Sequence, residues 1–148
     1  TLVTEDGTIL YDSLVIIEYL ESLGAAPRMI PAAGPARWTE LRRHALANGL
    51  LDLLVLWRNE RDRPAPLPAL VEAFGLKTRT ALDALEGEII DISAAPVGLA
   101  AVTLGVLGDY LDFRFADLNW RTGHPRLTAW HEVFASRPSM RATAIVDA

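Results

Sequence analysis

The chain has 148 residues, of which 51% are hydrophobic, with a formal net charge of −5 and no cysteine. That length suffices for one ordinary domain with a real core, and the hydrophobic content excludes a disordered tail. The scattered Lys and Arg exclude the basic stripe of a nucleic-acid binder, and the missing Cys excludes a disulfide framework, a thiolate nucleophile and a Cys-based metal site in this stretch.

Along the chain, residues 1–4 and 8–11 are two short β-prone runs around Asp6-Gly7, the dipeptide favoured in tight hairpin turns that need positive φ. Asp12 and Ser13 then offer two N-cap side chains to a helix carrying Ile16, Tyr19, Leu20 and Leu23 on one face, with Gly24 as its stop. Residues 25–35 hold three prolines and a glycine without periodicity and read as a linker. A long helix over residues 36–61 follows, its apolar stripe formed by Leu46, Leu50, Leu53, Leu54 and Trp57. After the break at Pro64, Pro66 and Pro68, a second long helix is marked by Val71, Phe74, Thr78, Leu82, Leu85 and Ile89.

Residues 99–111 are apolar nearly all round, the pattern of a helix at the centre of a bundle. The apolar run over residues 97–107 is too short to cross a bilayer, which takes about 20 residues. A last helix runs from Pro125 through Leu127, Trp130, Val133 and Phe134, and Pro138 opens a final turn. The first six residues have neither a basic nor an apolar signal region, so the cytoplasm is the expected location.

This order of elements resembles the glutathione transferase family. The resemblance is carried by Asp6-Gly7-Thr8-Ile9-Leu10-Tyr11-Asp12-Ser13 with Ile16 and Glu18-Tyr19-Leu20, by Tyr110-Leu111-Asp112-Phe113-Arg114, and by Arg137-Pro138-Ser139-Met140. It implies a mainly α fold. Residues 1–24 would be the C-terminal part of a thioredoxin-like glutathione-binding domain, 25–35 a linker and 36–148 the helical C-terminal transferase domain. It implies further that Ser13, with Asp12 before it, holds the γ-glutamyl end of glutathione. Physically, a helix start offers free N–H groups and a positive dipole end to a carboxylate, the Ser13 hydroxyl adds a donor, and Asp12 can pair with the ammonium. The same two residues are ordinary N-caps, and the two roles are compatible.

In this family the Tyr, Ser or Cys that activates the thiol follows the first strand, and a cis-proline precedes the third. Both would fall before Thr1, so no catalytic residue is assigned in this chain, and Tyr11 and Tyr19 read as packing residues. The central helix departs from the family pattern of Ser or Thr followed three residues later by Asp, since Gly98 and Ala101 stand there. A poorly satisfied helix start costs about 1 kcal/mol, so Gly98→Ser with Ala101→Asp is expected to raise the melting temperature.

Weaker signals remain. Arg37, Arg42, Arg43 and His44 form a basic run that reads mainly as a solvated face, with an anionic-ligand cleft as the alternative. Asn48 and Trp57 lie on the helix that lines the electrophile pocket in the family, and Trp57 also suits the core. Asp112 and Arg114 are expected to hold the end of the central helix against its neighbours. His44, His124 and His131 are too dispersed for a metal cluster, His124 reads as a turn residue, and no metal is expected.

The activity implied is conjugation of the thiol of glutathione, as co-substrate, to small hydrophobic electrophiles, in a homodimer with no nucleic-acid or membrane partner. The alternative is a non-catalytic transferase-fold module for interaction or ligand binding, because fold alone does not fix function.

Overall fold

A computed structural model describes residues 1–24 and 27–146. The start of the expected linker, Ala25 and Ala26, lies outside the described residues. Strands β1 (Leu2–Val3) and β2 (Ile9–Leu10) form an antiparallel pair in the register Leu2↔Leu10 and Val3↔Ile9. The turn between them closes through Gly7 N–H to Thr4 C=O at 3.0 Å, with Gly7 at φ 85°. The Asp6-Gly7 signal therefore marks the turn, although the paired segments are only two residues long.

Helix α1 (Ser13–Ser22) follows and buries none of its residues fully. Its outer end is fastened by Glu21, whose Oε1 accepts the backbone N–H groups of Met29 and, at 3.0 Å, Ile30. An ion pair between Glu18 and Arg37 ties the same helix to the next one. Ile30, 1% exposed, is thereby seated in the protein interior.

Four helices build the remainder. They are α2 (Gly34–Arg61), α3 (Pro68–Ala94), α4 (Leu99–Arg114) and α5 (Pro125–Ala135), with a 3₁₀ turn at Ala116–Leu118 and a short α6 (Pro138–Ala142). Proline stands in the first turn of α2, α3, α5 and α6, where its missing N–H is not needed. On α2 the buried positions are His44, Ala47, Leu50, Leu54, Trp57 and Glu60. Leu46 and Leu53 of the expected stripe are only partly buried, so the core-facing stripe is rotated toward His44 and Ala47.

Helix α4 is the centre, as its all-round apolar pattern requires, with Leu99, Leu104, Leu107 and Leu111 each no more than 2% exposed. Helix α5 approaches it where α4 has no side chain. A Cβ on Gly105 would lie 2.6 Å from Phe134 Cδ1, and one on Gly108 would lie 2.3 Å from His131 Cδ2. These two glycines set the separation of α4 and α5.

The lower end of the bundle is closed by a polar network. Asp112 accepts from Trp120 Nε1 at 2.8 Å and pairs with both terminal nitrogens of Arg121. Arg121 Nη2 lies 3.2 Å from His131 Nδ1, and His131 Nε2 lies 3.0 Å from Asp109 Oδ1. Arginine can only donate, so His131 accepts at Nδ1 and donates from Nε2. Asp112 thus holds the end of α4 as expected, while Arg114 lies over the Phe113 ring, 3.9 Å from its centroid.

Candidate functional site

The site expected from the sequence is the start of α1. Asp12 is its N-cap, with an extended backbone, and Oδ1 accepts from Leu14 N–H at 3.2 Å. Its carbonyl accepts from Ile16 N–H at 3.1 Å. One carboxylate oxygen is committed to the helix, and among the described residues the other has no hydrogen-bond partner. Ser13, the first helical residue, is exposed, and among the described residues its hydroxyl has no hydrogen-bond partner. An N-cap carboxylate and an unpartnered hydroxyl are therefore adjacent on an open helix start.

One residue of α2 lies within the field of Asp12. Helix α2 brings His44, 6% exposed, whose Nδ1 is 2.8 Å from Thr103 Oγ1 of α4; the Thr103 hydroxyl in turn donates to Leu99 C=O at 2.9 Å. Burial pushes the His44 imidazole below its ordinary range, and the negative charges of Asp12 and Glu40 oppose that only in part. His44 is thus a neutral ring within the field of Asp12. It is no part of a solvated basic face.

The rest of that basic run is also spoken for. Glu88 on α3 accepts from Arg42 at 2.8 and 2.7 Å and from Arg43 Nε at 2.8 Å. These bonds hold the Glu88 carboxyl far down, to about 2. Arg37 pairs with Glu18 and donates to Pro31 C=O. With the charges neutralised, the run supplies no cationic cleft.

Glu40, four residues before His44, is the residue that sequence reasoning missed. Its Oε1 accepts from Ala100 N–H at 2.7 Å, while Leu99 N–H donates to Met29 C=O at 3.2 Å. The start of α4 is therefore capped from α2 and from the segment before it. A poorly satisfied end was expected at Gly98 and Ala101, and the structure corrects this. A Cβ on Gly98 would meet Glu40 Oε1 at 2.3 Å and Met29 C=O at 2.9 Å, so Gly is required for the cap to reach. The i, i+4 spacing of Glu40 and His44 was the available signal, since it puts both on one helix face.

The other nominated residues fall elsewhere. Trp57 is buried, its ring tilted against that of Phe115 with centroids 5.2 Å apart. Asn48 is partly buried on α2. Tyr11 is 72% exposed and so is no packing residue, whereas Tyr19 is partly buried. His124, expected in a turn, occupies the N-cap position of α5 and is buried, with Nδ1 2.6 Å from Trp120 C=O and Nε2 3.0 Å from Asp83 Oδ1. Among the described residues no group of His, Asp or Glu has the arrangement to hold a metal ion, and no helix is long and apolar enough to cross a membrane.

Comparison with known proteins places this architecture. Residues 68–132 match the model of the glutathione S-transferase C-terminal domain. The chain is 33% identical over 147 residues to the uncharacterized GST-like protein YibF of Escherichia coli K12, covering 96% of this chain and 72% of that protein. This chain belongs to the glutathione transferase family.

Solved structures of the family agree with it in detail. A glutathione transferase family member from Pseudomonas fluorescens Pf-5, crystallised with bound S-(propanoic acid)-glutathione, superposes with a TM-score of 0.93 at 40% identity. The match covers 99% of this chain and 76% of that one. A glutathione S-transferase from Methylobacillus flagellatus KT with glutathione bound superposes with a TM-score of 0.90 at 29% identity, over 97% of this chain and 74% of that one. The transferase fold, mainly α with an N-terminal β-hairpin, is thus the fold of this chain.

Proposed function

We propose that the protein is a glutathione transferase that conjugates the thiol of glutathione to small hydrophobic electrophiles. The observation that carries the reading is the pairing at the start of α1: an N-cap carboxylate with one oxygen uncommitted, beside an exposed hydroxyl without a partner. A γ-glutamyl group is a zwitterion at its free end. Its carboxylate suits the Ser13 hydroxyl and the α1 N–H groups, and its ammonium suits Asp12. Family relatives with glutathione or a glutathione conjugate bound support the choice of ligand.

In this reading residues 1–24 belong to the glutathione-binding domain, residues 25–35 link it to the helical domain of residues 36–148, and α2 contributes to the electrophile pocket and to a homodimer surface. The enzyme works in the cytoplasm. Catalysis consists of lowering the thiol pKa and holding the thiolate beside an apolar pocket, so that attack on the electrophile is intramolecular in effect. This chain's own part is to bind and orient the tripeptide by its γ-glutamyl end.

Isothermal calorimetry with glutathione, paired with detection of the thioether formed from a small aryl halide, tests it. Ser13→Ala should weaken glutathione binding about tenfold, the loss of one charge-assisted hydrogen bond, with the melting temperature nearly unchanged. Undiminished binding in Ser13→Ala would remove the clamp. Binding without thioether would favour the non-catalytic module.

A further inference from the structure

Helix α1 carries the Asp12 and Ser13 pair at its start, yet it buries none of its residues fully, so packing alone fixes its direction only weakly. Its far end is fastened by other means. Glu21, partly buried in the last turn, offers one oxygen to two successive backbone donors: Oε1 accepts from Met29 N–H and, at 3.0 Å, from Ile30 N–H. Ile30 is 1% exposed, and the Met29 carbonyl accepts at 3.2 Å from the N–H of Leu99, the first residue of α4. A line of hydrogen bonds therefore runs from the end of α1 through residues 29–30 to the start of the central helix.

The two ties between α1 and the helical domain differ in strength. A carboxylate on two peptide N–H groups is charge-assisted, and its removal leaves two partly buried donors unpaired. The ion pair of Glu18 with Arg37 is more open, with the Glu18 side chain 44% exposed, and pairs of that kind hold little. Ser13 and Glu21 stand about 12 Å apart along the helix axis, at about 1.5 Å per residue. A tilt of about 5° at Glu21 thus moves Ser13 by about 1 Å. Asp12 and Ser13 move together in such a tilt, which changes where their ligand is presented and leaves the pair itself intact.

We infer that Glu21 is a positioning residue: through Met29 and Ile30 it fixes the direction of α1, and with it the bound glutathione, against the helical domain. The inference rests on the glutathione reading of the α1 start. Its effect falls on reaction rather than on binding, because a misplacement of about 1 Å between reacting groups costs about a hundredfold in rate.

Thioether formation from a small aryl halide at saturating glutathione, glutathione calorimetry and amide hydrogen exchange test this on Glu21→Ala, Glu21→Gln and Glu18→Gln. Glu21→Ala should lower kcat by about tenfold or more while the glutathione Kd stays within about twofold, the reverse of the split expected for Ser13→Ala. Glu21→Gln, whose Oε1 still accepts both N–H groups, should restore most of the rate, and Glu18→Gln should match the unaltered protein. The Met29 and Ile30 amides should exchange faster in Glu21→Ala, with those of Leu104 and Leu111 inside α4 unchanged. An unchanged kcat in Glu21→Ala, a Kd that rises as far as kcat falls, or a Glu21→Gln as slow as Glu21→Ala would each overturn the inference. Unaltered protein that binds glutathione without forming thioether would sink the transferase reading instead. The exchange of Met29 and Ile30 then decides the tie by itself, and slow exchange retained in Glu21→Ala would overturn it.

Discussion

At the scale of single residues, glycines decide how closely α4 and α5 approach. In an open helix interior, Gly→Ala stabilises by about 0.5–1 kcal/mol, because the unfolded chain loses freedom. Gly49 and Gly87 meet that condition, since a Cβ there would touch nothing within 4 Å, so either alanine should raise the melting temperature. Gly108 does not. Its Cβ would enter the His131 ring, which cannot yield because Asp109 and Arg121 hold both nitrogens. Gly108→Ala should therefore destabilise by about 1–3 kcal/mol in urea unfolding, the cost of overpacking. A stabilised Gly108→Ala would mean that α5 can move away from α4. In sequence the two kinds of glycine look alike, because what distinguishes them is a residue more than 20 positions away.

At the scale of elements, the recurrent device is a carboxylate on one helix that caps the start of another. Glu40 on α2 serves Ala100 of α4, and Glu86 on α3 accepts from Arg126 N–H and Leu127 N–H of α5 at 3.1 and 2.7 Å. Glu60 accepts from Leu67 N–H, just ahead of α3, at 2.7 Å. The local N-cap positions of these three helices, Gly98, His124 and Leu67, make no side-chain cap bond. Each cap therefore joins two helices while satisfying one, which couples element stability to tertiary packing. Glu40→Ala should cost about 1–2 kcal/mol of unfolding free energy by chemical denaturation, as removal of an N-cap does. Gly98→Ser with Ala101→Asp should lower the melting temperature, contrary to the expectation from sequence, because the new Cβ collides with Glu40 and Met29. A raised melting temperature in that double variant would show that the cap across the helices is dispensable.

At the scale of the whole molecule, the acidic groups set the response to pH. Glu88 is held near 2 by Arg42 and Arg43. Burial pushes Glu86 and Asp112 up, but hydrogen bonds outweigh it and leave both below their ordinary values, from Leu127 and Arg126 for Glu86 and from Arg121 and Trp120 for Asp112. A carboxylate with a depressed folded pKa contributes stability above its unfolded pKa and loses it as pH falls through the folded value. The melting temperature should thus fall steeply between about pH 4.5 and pH 2, and Glu88→Gln should flatten part of that slope. His44 adds a gentler slope near neutrality, since burial keeps it neutral and the unfolded chain takes up the proton first. A melting temperature constant from about pH 5 to pH 3 would contradict these assignments. Much of the molecule was legible in the sequence. Asp6-Gly7 marked the turn, Asp12 the start of α1, the prolines the first turns of four helices, and the all-round apolar run the central helix. These signals act between neighbours in the chain, through φ preference, missing N–H groups and hydrophobic period. Only the tertiary structure decided which carboxylate caps which helix, and that His44 is neutral and buried rather than part of a basic face. The physical reason is range: each of these outcomes depends on groups brought together from distant parts of the chain, and no local propensity records the distance between them.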